Sequence, residues 1–161
     1  MHDRLQQALA EALRREEIVG VLFVDLDHFK NVNDSLGHQY GDELLQKVAQ
    51  RLRSCMRKMD TLARYGGDEF VIVIPSLDGP GAIESIACKI IEACNQEFLL
   101  SGRKVHISAS IGIALYPSDG ADAASLIRNA DLAMFSIKKQ GRNRFRFYDN
   151  SLIRVTDLRR Q

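Results

Sequence analysis

The most constraining feature of this chain is a short apolar run, residues 19–24, that stops at Asp25-Leu26-Asp27. A run this short and rich in Val and Phe reads as a buried strand. The first acidic pair therefore sits where a core strand ends. A second acidic pair, Asp68 and Glu69, follows Gly66-Gly67 between two more strand-like runs, residues 61–65 and 70–74. A short Gly-rich link of this kind predicts a β-hairpin with Asp68 and Glu69 at its tip. Carboxylates at a strand end and at a hairpin turn can face each other across neighbouring strands. Hard oxygen donors of this kind suit Mg²⁺, which takes one or two carboxylates plus substrate phosphates. Two such ions can activate an attacking hydroxyl and stabilise the leaving oxygen of a phosphoryl displacement. Asp27 taken alone reads as a solvated turn carboxylate, whereas Asp25 with Asp68 reads as a site.

Hydrophobic spacing lays out the other elements. Leu5, Ala8, Leu9, Ala12 and Leu13 predict an amphipathic helix over residues 3–17. Leu44, Leu45, Val48, Ala49 and Leu52 predict another over residues 42–56, with Gly41-Asp42 at its start. Residues 82–98 and 122–139 predict two more, the last closed by Gly141. Alternation through Val105, Ile107, Ala109, Ile111 and Ile113 predicts a strand over residues 105–115, and residues 145–148 a last short strand. Residues 76–81 and 116–120 read as loops. The order is an opening helix, then strand, helix, hairpin, helix, strand, helix, strand. That order predicts an α+β domain with helices packed on a mostly antiparallel sheet. The expectation is one domain over residues 1–149 and an Arg-rich tail or linker over residues 150–161.

Composition narrows the function classes. A length of 161 residues suits one domain, and 45% hydrophobic residues are enough for one core. The formal net charge of +1 lacks the basic excess of a general nucleic-acid binder. No apolar run approaches bilayer-spanning length, and Met1-His2-Asp3-Arg4 lacks a signal-peptide layout. Cys55, Cys88 and Cys94 are odd in number and have no metal-ligand spacing, which fits reduced structural thiols in a cytosolic protein.

A small phosphorylated ligand needs only a few local charges. Lys30 follows the first acidic cluster and, with nearby backbone N–H groups, can hold phosphate oxygens. Gly66 and Gly67 allow close backbone approach. Lys138 and Arg142 flank the end of the last long helix, where basic residues also complement the helix dipole. Asn33 and Asp42 have the groups to read a guanine edge, and they are equally suited to capping helices. Those alternatives stay open on the residues alone.

The strings Phe23-Val24-Asp25-Leu26-Asp27-His28-Phe29-Lys30, Asn33-Asp34, Gly37-His38, Gly41-Asp42 and Arg64-Tyr65-Gly66-Gly67-Asp68-Glu69-Phe70 resemble the GGDEF family of diguanylate cyclases. The similarity runs from about Val19 to Tyr148. The resemblance implies a central sheet wrapped by helices, similar to the palm of adenylyl cyclases and polymerases, with a ferredoxin-like core. It also implies condensation of two GTP into cyclic di-GMP, with two Mg²⁺ or Mn²⁺ ions per site, by two domains facing each other as a homodimer. Asp25 and Asp68 match the metal-binding carboxylates, helped by the Leu26 carbonyl. Glu69 matches the second acidic residue of the signature, near the metals and the 3′-hydroxyl. Gly66 and Gly67 would lie against the phosphates, and Lys30, Lys138 and Arg142 match triphosphate-binding positions. Asn33 and Asp42 match the guanine-reading pair, and Phe29 and His38 fall among the nucleotide-binding positions of the same strings.

The resemblance extends to regulation. Arg57-Lys58-Met59-Asp60 matches the family's RxxD site, where product binds and inhibits, and Lys89 falls near a second basic position of that site. Read without the family, Arg57 and Asp60 are an exposed ion pair of little consequence. The turn motif that usually opens the family's domain is missing ahead of Met1, so the expectation is an excised or shortened domain. The polar tail resembles the stretch leading into an EAL phosphodiesterase, so a fused EAL or sensor domain is expected, in a bacterial cytosolic protein or the cytosolic part of a membrane-anchored one. The alternative to a cyclase is a non-catalytic GTP-binding or product-sensing module of a larger phosphodiesterase.

Overall fold

A computed structural model describes residues 2–152 of the chain. The elements run α1 (His2–Arg15), β1 (Ile18–Asp27), α2 (Phe29–Leu36), α3 (His38–Ser54), β2 (Thr61–Arg64), β3 (Glu69–Leu77), α4 (Pro80–Asn95), β4 (Phe98–Leu100), β5 (Arg103–Val105), β6 (Ser108–Tyr116), α5 (Ala123–Lys139) and β7 (Phe145–Phe147), with a 3-10 turn at Asn150–Leu152. The remainder of the predicted tail lies outside the described residues. Among the described residues no helix is long and apolar enough to cross a membrane.

The main sheet has the order β2-β3-β1-β6-β7. Its first four strands are mutually antiparallel, and β7 joins β6 in parallel. Strands β1, β2, β3 and β6 with helices α3 and α4 form the β-α-β-β-α-β arrangement of a ferredoxin-like core. The expected α+β class, antiparallel sheet and signature hairpin are all present. β1 is central and covered on both faces, which is why its sequence is a continuous apolar run and not an alternating one. Leu22, Val24 and Leu26 pack on one side against Leu44, Val48, Ile83 and Ile90 of α3 and α4. Val19, Val21 and Phe23 point to the other, against Leu5 and Leu9 of α1 and Leu126 and Ala130 of α5. The site is thus mounted on the end of the most enclosed strand in the molecule.

Several elements depart from the sequence expectation. α2 is an additional helix, and α3 begins at His38, before the expected Asp42. Asn31, Asn33, Asp34 and Ser35 are poor helix formers, so α2 depends on burying Phe29 and Val32. Gly37, at φ 97°, makes the sharp break between the two helices. The helix expected to reach Phe98 ends at Asn95, where Arg51 donates hydrogen bonds to the carbonyls of Ala93, Gln96 and Glu97 and covers the Phe98 ring. Phe98 and Leu100 then bury their side chains from β4. The strand expected over residues 105–115 is split. β5 pairs with β4 in a separate ribbon, turned at Ser101 (φ 47°) and Gly102 (φ 89°), and β6 begins at Ser108.

Candidate active site

The register of the sheet brings the two acidic clusters together. Asp25 lies opposite Glu69, and the Leu26 N–H donates to the Asp68 carbonyl at 3.1 Å. The hairpin tip is folded back on its own strand. The N–H groups of Tyr65 and Gly66 donate to the Glu69 carbonyl, and the Arg64 guanidinium donates to the carbonyls of Gly66 and Gly67. A Cβ at Gly66 would press on the far end of the Glu69 side chain, so the signature's first glycine leaves room for that carboxylate where it stands. Gly67 has nothing within 4 Å of where a Cβ would stand, leaving its backbone open.

Asp25 and Asp27 lie two residues apart on β1, and their settings differ sharply. Asp25 is half-buried, and its Oδ1 makes no directed hydrogen bond. Its main partner is Lys138, whose Nζ lies 3.2 Å from Oδ1 as an ion pair. The Asp25 carboxyl is raised to about 7 on balance: burial raises it most, Lys138 pulls it down, and the nearby Asp68 and Glu69 charges raise it. Asp27 is fully buried, which corrects its reading as a solvated turn carboxylate. β1 runs two residues past the point where its apolar run ends, and Asp27 turns into the body of the domain. There it accepts hydrogen bonds from Ser108 Oγ (2.5 Å), Ser110 Oγ (2.8 Å) and the Asn143 N–H (3.1 Å), and pairs with Lys138 Nζ at 3.4 Å. Nothing local in the sequence marks this residue, because its partners lie 81 to 116 positions away.

Two clefts flank the carboxylates. One, of about 320 Å³, is lined by Leu26, His28, Phe29, Lys30, Asn31, Asp68, Lys138 and Arg142. It gathers three cations, and the first turn of α2 borders it with N–H groups that no helical carbonyl can reach. The other, of about 440 Å³, has apolar walls from Leu45, Ala49, Leu62 and Phe70 and carries Asp42, Arg53 and Arg64. Asp42 is exposed and lies inside α3, not at its N-cap, so it does not cap that helix. Asn33 likewise sits inside α2, and its Oδ1 is buried without a hydrogen-bond partner against Gly41, where a Cβ would strike it. α2 and α3 thereby set Asn33 against Gly41, the residue before Asp42. His38 is exposed at the first turn of α3. The slot walls Leu45 and Leu62 were visible in the sequence only as core residues.

Away from this end, the Asp60 side chain is fully buried and accepts from the Arg57 N–H at 2.8 Å and from Arg57 Nη2 at 3.0 Å. Arg57 also donates to the Pro75 carbonyl. A groove of about 320 Å³ beside the pair is lined by Arg4, Arg53, Met56, Arg57, Lys58, Asp60, Thr61 and Leu62. Lys89 is exposed on α4 and is not among these lining residues. All three cysteines are free. Cys94 is buried, which pushes its thiol up to about 12, whereas Cys88 is exposed.

The diguanylate cyclase GGDEF-domain family matches residues 1–144. The chain belongs to the GGDEF family. Among the relatives of this GGDEF domain is the bifunctional diguanylate cyclase/cyclic di-GMP phosphodiesterase MucR of Pseudomonas aeruginosa. It is 47% identical over 152 residues, covering 94% of this chain and 22% of that protein. The cyclic di-GMP phosphodiesterase NbdA of the same organism is 39% identical over 147 residues, covering 91% of this chain and 19% of that protein. The GGDEF domain thus spans about a fifth of the length of these relatives. The solved structure of the isolated GGDEF domain of Pseudomonas aeruginosa TpbB superimposes with a TM-score of 0.93 at 38% identity, covering 97% of this chain and 91% of that one. The palm-type sheet wrapped by helices is therefore the fold of the family.

Proposed function

We propose that this GGDEF domain is a diguanylate cyclase that joins two GTP into cyclic di-GMP and releases two pyrophosphates. The observation that carries the reading is a carboxylate pair set between a cationic cleft and an apolar slot with a carboxylate in it. Lys30, Lys138 and Arg142, with the first turn of α2, hold the triphosphate in the cationic cleft. The open backbone at Gly67 lies along the phosphates. The slot takes the base, with Asp42 accepting from guanine N1–H and N2–H₂ and the Asn33 amide beside it. Phe29 and His38 border the nucleotide. Each GTP then presents its 3′-hydroxyl to the α-phosphate of the other, and pyrophosphate leaves each time. One domain holds one GTP, so a homodimer is needed to bring the two halves together. Positioning lowers much of the barrier.

The residues fit a divalent cation. Asp25 Oδ1 is buried with only the Lys138 ion pair beside it, and burial, with the nearby Asp68 and Glu69 charges, raises the Asp25 carboxyl. Among the described residues no group of three Asp, Glu, His or Cys side chains forms a metal cage. Mg²⁺ or Mn²⁺ would then be held by Asp25 and Asp68 with the Leu26 carbonyl, Glu69 lying close by, and substrate phosphates would complete the shell. Once bound, such an ion neutralises phosphate charge and favours the ionised form of the attacking hydroxyl. Cyclic di-GMP feeds back at the groove of Arg57 and Asp60. In the whole protein, residues 1–149 form the domain and the tail leads to a further module in the bacterial cytosol.

The name of NbdA favours a second reading, a regulatory module attached to a phosphodiesterase. Incubating the protein at high concentration with GTP and Mg²⁺, followed by chromatography, separates the two. Cyclic di-GMP is the expected product. GTP binding without product would select the regulatory module.

A further inference from the structure

Asp27 is the one buried carboxylate at this end of the sheet, and the reaction scheme above gives it no task. It touches neither cleft among their lining residues. Its four partners nevertheless come from three separate places. Ser108 and Ser110 lie on β6, Lys138 on the last turn of α5, and the Asn143 N–H in the turn that follows α5. That turn is an awkward piece of backbone. Gly141, Arg142 and Asn143 all have positive φ, at 117°, 65° and 55°. For Arg and Asn this conformation is disfavoured and persists only where surrounding contacts hold it. Arg142 lines the cationic cleft from inside this turn, and Lys138 lines it from one helical turn earlier.

We propose that Asp27 is a positioning residue that fastens the cationic arm, Lys138 through Asn143, to the ends of β1 and β6. The inference rests on the reading of the cationic cleft as the triphosphate site. Both carboxylate oxygens of the clamp act on the arm at once. Oδ1 holds the Lys138 ammonium between Asp25 and Asp27, and Oδ2 takes the Asn143 N–H, which fixes the strained turn that aims Arg142. Ser108 and Ser110 fill the remaining lone pairs, so the buried charge is fully satisfied. The arm is then pre-organised before nucleotide arrives, and binding need not order it.

The test compares Mg²⁺-GTP with guanosine by calorimetry. Asp27→Asn keeps the size of the side chain and removes its charge. It is expected to weaken Mg²⁺-GTP by about tenfold while guanosine changes by less than about twofold. Lys138→Ala is expected to cost less in that variant than in the wild type, because part of what this lysine does depends on its placement by Asp27, and fully additive losses overturn the clamp. An unchanged GTP affinity, or an equal loss for both ligands, overturns the proposal. Ser108→Ala, a milder change, is expected to give a loss of the same selectivity at about threefold, and serves if Asp27→Asn folds poorly. Exchange of the Asn143 amide, followed without nucleotide, tests the clamp independently of the cleft. Faster exchange in Asp27→Asn is expected, and an unchanged rate overturns the clamp. If the wild-type protein bound guanosine and GTP equally, the triphosphate reading would fall, and the amide measurement would still decide what Asp27 does.

Discussion

The molecule handles buried carboxylate charge in opposite ways at its two acidic sites. At the end of β1, Asp25, Asp68 and Glu69 crowd one another, and Asp25 is pushed up to about 7. Beside β2, Asp60 is fully buried yet completely answered by the N–H and guanidinium of Arg57. At the first site the Lys138 ammonium, shared between Asp25 and Asp27, only partly offsets the mutual repulsion of the carboxylates, so a further cation is favoured there. The second is neutral as it stands, so a ligand there must compete with contacts already made. Proximity of charges alone does not mark a reactive site; what matters is whether the charges are already paired.

Removing a carboxylate from the crowded site should have the largest effect. Asp68→Ala is expected to lower turnover by at least about a thousandfold, with the unfolding midpoint little changed, because Asp68 lies at a hairpin tip and carries no core packing. Near wild-type rates in a GTP turnover assay would sink the metal assignment. At the paired site the effect is smaller and opposite in sense. Arg57→Ala should raise the cyclic di-GMP concentration needed for half inhibition by about tenfold to a hundredfold, the size of one lost charge-assisted contact. Unchanged inhibition would leave Arg57 and Asp60 as a structural pair.

The crowding also predicts a pH signature in the metal-free protein. The Asp25 carboxyl titrates near 7 when folded, above its usual 3.8. Between those values the folded chain holds a proton that the unfolded chain has lost, so stability falls as pH rises through this window. The loss should be on the order of 1–2 kcal/mol, after allowing for solvent screening of a partly exposed group. Asp25→Asn should flatten this slope and unfold at higher urea than wild type above neutral pH. A wild-type stability that stays level across the window would contradict the raised Asp25 carboxyl, whose main cause is burial. The smallest effect is steric. Gly66→Ala pushes against the flexible end of Glu69, so turnover should drop severalfold while stability changes by less than about 1 kcal/mol. If turnover were unaffected, Glu69 would not need its present position.

The sequence made the crowded site easier to find than the elements that support it. The apolar run into Asp25 and the paired runs around Gly66-Gly67 are local patterns, and local patterns report strands and turns well. α2 escaped because Asn31, Asn33 and Asp34 argue against a helix, and only tertiary burial of Phe29 and Val32 overrules them. β4 escaped because Phe98 continues the helical spacing of α4, although Ser101-Gly102 carries a legible turn signal. Asp27 was misread for a different reason. Its environment is assembled from β6 and the turn after α5, and no window of sequence around it contains either. The same holds for the slot, whose walls Leu45 and Phe70 look like ordinary core until the sheet brings them around Asp42.

The two outer strands of the main sheet are its shortest. β2 has four residues and ends in Arg64, and β7 has three with Arg146 at its centre. Exposed strand edges are templates for adding further chains, and brevity with charge discourages that. The proposed reaction needs two copies to meet and so would require the domain to encounter itself often. With both borders of the sheet closed to further pairing, repeated encounters can stay finite and reversible, and the domain can be concentrated without growing into a fibre.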